Sequence, residues 1–238
     1  MKNVLLKMKE LSKLAGNCVF KHTNGKIGHE VSEDMVFGDF KYAIIDNSYI
    51  RIKEYEGMES DVAIPNKIAG YKVKEIGNRA FWGSRGLKSV LIPKGVTRIG
   101  HNAFLDCDKL QKVELPEGLA KIGSYAFMSC GRLQNIKLPQ SLTCIGAGAF
   151  MWSGLKNIAI PSNIKKIPRN TFMRCHRLEK VDISEGVISI GNSAFGECYG
   201  LQNIEIPRGL TKIDNDAFTG CYALQSIEIP KDLTKKRF

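Results

Sequence analysis

The side chains best suited to chemistry are seven cysteines and four histidines, His22, His29, His101 and His176. Five cysteines, Cys107, Cys130, Cys175, Cys198 and Cys221, follow one another at 23, 45, 23 and 23 residues. Thiolates could hold zinc, but zinc sites draw ligands from short spacings such as C-x2-C, and none exists here. Cys175 and His176 adjoin, so their side chains are expected to face opposite ways. The histidines occupy unrelated positions, so no Ser-His-Asp set is visible. The stretch GAGAF, Gly146 to Phe150, imitates a phosphate loop, and DNDAF, Asp214 to Phe218, imitates a calcium loop without its remaining ligands. No catalytic residue, metal ligand or cofactor-binding residue is expected, and no cofactor.

The regular cysteines belong to a larger pattern. Phe81, Phe104, Phe127, Phe150, Phe172, Phe195 and Phe218 lie 23 residues apart, except for one step of 22. Each follows Ala, or Thr at Thr171, and three residues later comes Cys or, at Ser84 and Ser153, Ser. Then come LKSVLIP, LQKVELP, LQNIKLP and their counterparts, followed by an apolar pair and Ile-Gly. In LQKVELP, the alternation of Val113 and Leu115 with Lys112 and Glu114 predicts a strand, which the Pro ends for want of a ladder donor. The Gly of Ile-Gly is read as a tight turn. In NAFLDCDKL, Ala103, Phe104, Cys107 and Leu110 share one face at helical spacing, which predicts about two helical turns. One repeat cannot bury its apolar face, but stacked repeats can. Cysteines on stacked turns would have Cβ atoms ~4.8 Å apart, wider than the usual ~3.8 Å of a disulfide, so buried reduced thiols are expected.

The unit IPxGLxxIGxxAFxxCxxLxxVxL resembles the BspA-like leucine-rich repeats over about residues 60–234, including the shortened AFMWSGL and the Ile167-Pro168 variant. The resemblance implies a curved right-handed solenoid, a horseshoe with a parallel β-sheet on its concave face. With the helical segments read from the residues, the expected class is α/β. The family also implies adhesion or protein binding, often at the bacterial surface, and no enzyme activity.

Three segments are expected: 1–36, a capping helix plus loop; 37–59, a β-hairpin cap around Asp46-Asn47-Ser48; and 60–238, seven repeats with a basic C-terminal end. Residues 1–16 space Val4, Leu5, Met8, Leu11, Leu14 and Ala15 helically, with a membrane-surface helix or disorder as the alternatives. Lys236 takes the slot of Ile213, which reads as a natural stop. No stretch reaches the ~18 apolar residues of a transmembrane helix. Lys7, Lys9 and Glu10 interrupt any secretory leader, so the chain reads as cytoplasmic if complete and as surface or secreted by its resemblance.

Two surface features remain. The net charge is +11, and residues 1–59 contain nine residues of each sign, so all of it lies on the repeats. Between Glu117 and Glu179 there is no acid but there are nine bases, among them Lys121, Lys137, Lys165, Lys166, Arg169, Arg174 and Arg177. Such a block should steer an acidic partner. Aromatic interleaving is thin, with Trp152 alone, which disfavours nucleic acid. The second feature is the slot after each Phe, where Trp82, Leu105, Met128, Met151 and Met173 line up on consecutive turns as a candidate apolar binding stripe. The leading expectation is a non-enzymatic binding solenoid for a protein or another acidic macromolecule. The rival is a structural segment of a larger surface assembly. Oligomeric state is not legible.

Overall fold

A computed structural model describes residues 35–225. The expected N-terminal helix over 1–16 and the stop at Lys236 lie outside the described residues. The first strands are β1 (Met35–Phe37), β2 (Phe40–Ile44) and β3 (Tyr49–Tyr55), paired antiparallel in that order. Asp46 shapes the β2–β3 connection by accepting hydrogen bonds from the amides of Ser48 and Tyr49 at 2.8 and 3.1 Å. Next come β4 (Asp61–Ala63), β5 (Lys67–Ile68) and β6 (Tyr71–Ile76), with β6 parallel to β3.

From Phe81 onward the chain coils into turns with two short strands each. These are β7 (Ser89–Leu91) and β8 (Arg98–Ile99), then β9 (Lys112–Glu114) and β10 (Lys121–Ile122). The turn after Phe127 has β11 (Cys144–Ile145) alone. Then follow β12 (Asn157–Ile160) and β13 (Lys166–Ile167), β14 (Lys180–Ile183) and β15 (Ser189–Ile190), β16 (Asn203–Glu205) and β17 (Lys212–Ile213). First strands pair in parallel with first strands of neighbouring turns, and second strands with second strands, giving two sheet faces. The third side of each turn is the Phe-centred segment.

That segment corrects the α/β expectation. The described residues contain no helix, and the fold is an all-β solenoid. In each of the seven turns the residues two before and two after the Phe have positive φ, as at Asn102 (56°) and Asp106 (60°). A left-handed residue every fourth position cannot propagate a right-handed helix. The backbone bonds are divided accordingly. The amides of Asn102, Phe104 and Asp106 donate to carbonyls of the next turn at 2.9, 2.8 and 3.1 Å, while those of Leu105 and Cys107 donate three residues back within the turn. The result is two tight turns tied to their neighbours.

The core runs along the axis between these three sides. The seven phenylalanines stack into one column with ring centroids 4.9–5.5 Å apart, and the column begins in the hairpin at Phe40 and Tyr55. Ala103, Phe104, Cys107 and Leu110 are fully buried. The Ile-Gly glycines also need a different explanation. None has positive φ. They are required because turns approach there: a Cβ on Gly123 would lie 2.6 Å from the carbonyl carbon of Gly100.

Candidate binding surface

The slot cysteines are structural. Cys107, Cys130, Cys175 and Cys198 are buried, and with Cys221 each donates its thiol to the carbonyl of the Phe one turn earlier, at 3.0–3.3 Å. The slot therefore needs a small donor, which accounts for Ser as its alternative: Ser153 is buried with its Oγ 3.2 Å from Cys175 Sγ. Burial pushes the Cys107 and Cys175 thiols up to about 12 and that of Cys221 up to about 11. All are free thiols. Among the described residues no three His, Cys, Asp or Glu side chains come together to hold a metal ion, and no helix is long and apolar enough to cross a membrane.

The basic block divides among the three sides of the coil. Lys121, Lys165 and Lys166 are exposed on the second-strand face, and Arg169 follows one residue beyond Pro168. Arg98 continues this column, because it pairs in register with Lys121 across parallel strands. None of these five bases has an ion-pair partner among the described residues. Lys137 lies instead on the first-strand side, while Arg174 and Arg177 lie on the Phe side. Arg174 is half-buried and bound to Glu197 at 3.0 Å.

The apolar stripe is mostly covered. Trp82 is 56% exposed, but Leu105, Met128, Met151 and Met173 are half-buried between turns. The larger aromatic surface lies elsewhere on the Phe side. Trp152 meets His176 edge-on at 5.5 Å, His176 stacks on Tyr199 at 4.6 Å, and Tyr199 stacks on Tyr222 at 5.5 Å. The sequence reading missed Tyr199 and Tyr222. Their signal was a slot four residues after the Phe, at the same 23-residue step.

The column of bases is interrupted at one defined place. In the other turns the residue after the second strand donates its amide to the preceding turn, as Gly146 does to Ile122 and Gly191 to Ile167, both at 2.8 Å. Pro168 takes that slot and has no N–H, so β11 and β13 do not pair. Its carbonyl accepts the Thr171 amide at 3.4 Å, as the glycine carbonyls do in other turns, and also the buried Thr171 hydroxyl at 2.7 Å.

The BspA-type leucine-rich repeat model matches residues 60–179 and 165–237 in six copies. The fold is shared with solved bacterial proteins. A leucine-rich cell surface protein of Faecalibacterium prausnitzii is 30% identical over 87% of this chain, with a TM-score of 0.76. A leucine-rich repeat protein of T. pallidum is 33% identical over 83% of this chain and 91% of its own, with a TM-score of 0.74. One from Bacteroides ovatus is 31% identical over 83% of this chain, with a TM-score of 0.78. This chain spans 55% of the F. prausnitzii protein and 54% of the B. ovatus protein. No curated protein matches it. The chain belongs to the BspA-type leucine-rich repeat family.

Proposed function

We propose that this chain is a non-enzymatic, protein-binding solenoid of the bacterial surface type, and that its second-strand face takes an acidic protein. The observation that carries this reading is the column of exposed bases Arg98, Lys121 and Lys166, broken once at Cys144, with Lys165 and Arg169 beside it, none of them ion-paired among the described residues. Parallel pairing spaces Arg98 and Lys121 ~4.8 Å apart, and Lys166 follows in the same slot two turns beyond Lys121, so strands β8, β10, β11 and β13 carry bases and no acid. A field of this kind accelerates encounter with an acidic surface and weakens as salt screens it. The cell-surface protein among the solved relatives supports an extracellular setting.

The test uses poly-L-glutamate as the probe, at two salt concentrations. Reversing Lys121, Lys165 and Lys166 to Glu should weaken binding by at least about tenfold at low salt, mainly through slower association, with the difference shrinking at high salt. The control reverses Lys88, Lys94 and Lys109, which are exposed elsewhere. Equal losses in both triple variants would mean that net charge alone acts and that no local site exists.

A further inference from the structure

The chain carries an acidic surface of its own. Residues 62–178 hold 19 bases and five acids, whereas residues 179–225 hold seven acids and three bases. Each turn of a solenoid meets only its neighbours, so a change of sign along the sequence becomes a change of sign along the axis. Four of the seven acids are already engaged or balanced. Glu197 is bound by Arg174 at 3.0 Å and Asp214 by Lys212 at 2.7 Å. Asp216 accepts the Thr219 hydroxyl at 3.2 Å. Glu185 shares its slot with Arg208 of the next turn.

The other three lie together on the first-strand face. β14 and β16 pair so that Asp182 stands directly opposite Glu205, and Glu179 immediately precedes β14. All three are exposed, and Lys180 is the only base on these two strands. Its ammonium lies 2.9 Å from Asp182, and that bond, with Glu205 nearby, holds the Lys180 pKa above the ordinary lysine value. One cation thus serves three carboxylates. Glu179 and Glu205 have no ion-pair partner among the described residues.

Like charges directly opposite one another on neighbouring strands repel. The second-strand face repeats the arrangement with the other sign, because Arg98 stands opposite Lys121. Both pairs present their charges at the same strand spacing of ~4.8 Å, so each relieves the repulsion within the other. They cannot meet within one molecule. The acids are on the first-strand face of the last described turns, and the bases are on the second-strand face of earlier ones.

We propose that the acidic partner of the basic column is a second copy of this chain, which sets Glu179, Asp182 and Glu205 against Arg98, Lys121 and Lys166. This inference rests on the acidic-protein reading above and names its partner. The contact joins two different faces, so it leaves one acidic and one basic face open at the two ends of each pair, and copies add in a row. The net charge of +11 opposes the approach of two copies. At physiological ionic strength the Debye length is about 8 Å, so distant repulsion is screened while charges in contact still attract. The association is therefore weak and sensitive to salt.

The experiment is sedimentation of the full chain from about 1 µM to about 1 mM, the span of weak affinities. The mean mass should rise with concentration past that of a dimer and return to the monomer at about 1 M salt, where the Debye length is about 3 Å. Lys121→Glu with Lys166→Glu, and separately Asp182→Lys with Glu205→Lys, should each weaken association by at least about tenfold. An equal mixture of these two variants should associate although neither does so alone, because each supplies the face that the other lacks. The control, Asp108→Lys with Glu117→Lys, changes exposed acids of the second turn and should leave association unchanged. Equal loss in the control, or a mixture that stays monomeric, would overturn the pairing of these faces. A mass that stops at two would overturn the head-to-tail order. A chain that stays monomeric up to about 1 mM while poly-L-glutamate still binds the basic face would overturn the second copy as partner and leave the proposed function standing. If poly-L-glutamate failed to bind as well, both readings would fall.

Discussion

Two sides of this solenoid are built from the same number of turns but are not equally continuous. On the Phe side the inter-turn ladder runs unbroken through the short repeat: Phe127 donates to Ala149 at 2.8 Å, Phe150 to Thr171 at 2.9 Å and Phe172 to Ala194 at 2.8 Å. On the second-strand face pairing stops at Ile145 and resumes at Lys166. On the first-strand face residues 135–137 form no strand, although Ile136 and Leu138 remain buried. The ring column and the Phe-side ladder therefore define the coil, and strand pairing adds to it locally. Sequence can vary on the strand faces at little cost to the fold, and the proposed basic surface lies on one of them.

The largest expected effect comes from breaking the continuous side. Phe127 is fully buried between two other rings, so Phe127→Ala should cost ~3–5 kcal/mol by denaturant titration, as for a large-to-small core change. Lys137→Ala, on the interrupted face, should stay within ~0.5 kcal/mol. A Phe127→Ala cost below ~1 kcal/mol would contradict the stacked core.

Alkaline pH should act on the same side. The slot thiols have raised pKa values because burial disfavours the thiolate, so the folded state holds their protons more tightly than the unfolded chain does. Their stabilising share is complete below the unfolded thiol pKa of ~8.5 and is lost as pH rises toward about 12. The denaturation midpoint should fall through that window. Cys175→Ser retains a donor for the Phe150 carbonyl and should lessen the fall. A midpoint independent of pH up to 11 would exclude this linkage. Exposed Cys144 should react quickly with a thiol reagent in the native protein, and Cys107, Cys130, Cys175 and Cys198 slowly.

Smaller effects should sharpen the contrast. His101 Nδ1 accepts the Ser124 amide at 3.0 Å, as Asn78 accepts the His101 amide at 2.9 Å one turn earlier. His101→Ala should cost ~1 kcal/mol, and His101→Asn should recover most of it. Pro168→Gly would restore a donor opposite the Ile145 carbonyl. It should change stability by less than ~1 kcal/mol, because the new bond is offset by the flexibility gained in the unfolded chain. A large change in either direction would mean that the strand faces carry more of the fold than the ladder suggests.

The period, the Phe column and the buried cysteines were legible because each slot recurs at a fixed step. The helix was misread because Ala103, Phe104, Cys107 and Leu110 satisfy helical spacing and two tight turns equally well. The distinguishing signal was Asn102, Gly148, Asn170 and Asp216 two residues before the Phe, with Gly83, Asp106 and Gly220 two after. These types tolerate the left-handed region. The basic block was visible as sequence, but its division among three sides depends on where each turn bends. That division separates Lys137, Arg174 and Arg177 from Lys121 and Lys166. The aromatic surface was hidden because His176 was read beside Cys175 rather than with Tyr199 and Tyr222, one and two turns further along.

Amide hydrogen exchange tests the central contrast most directly. The amides of Phe104, Phe127, Phe150, Phe172 and Phe195 all donate between turns, so they should be protected to a similar degree across the whole coil. The amides of residues 135–137 and 165–166 should exchange faster than their counterparts in β9, β10, β14 and β15. Weak protection at Phe150 and Phe172, with the two ends of the coil opening independently at the short repeat, would contradict the account.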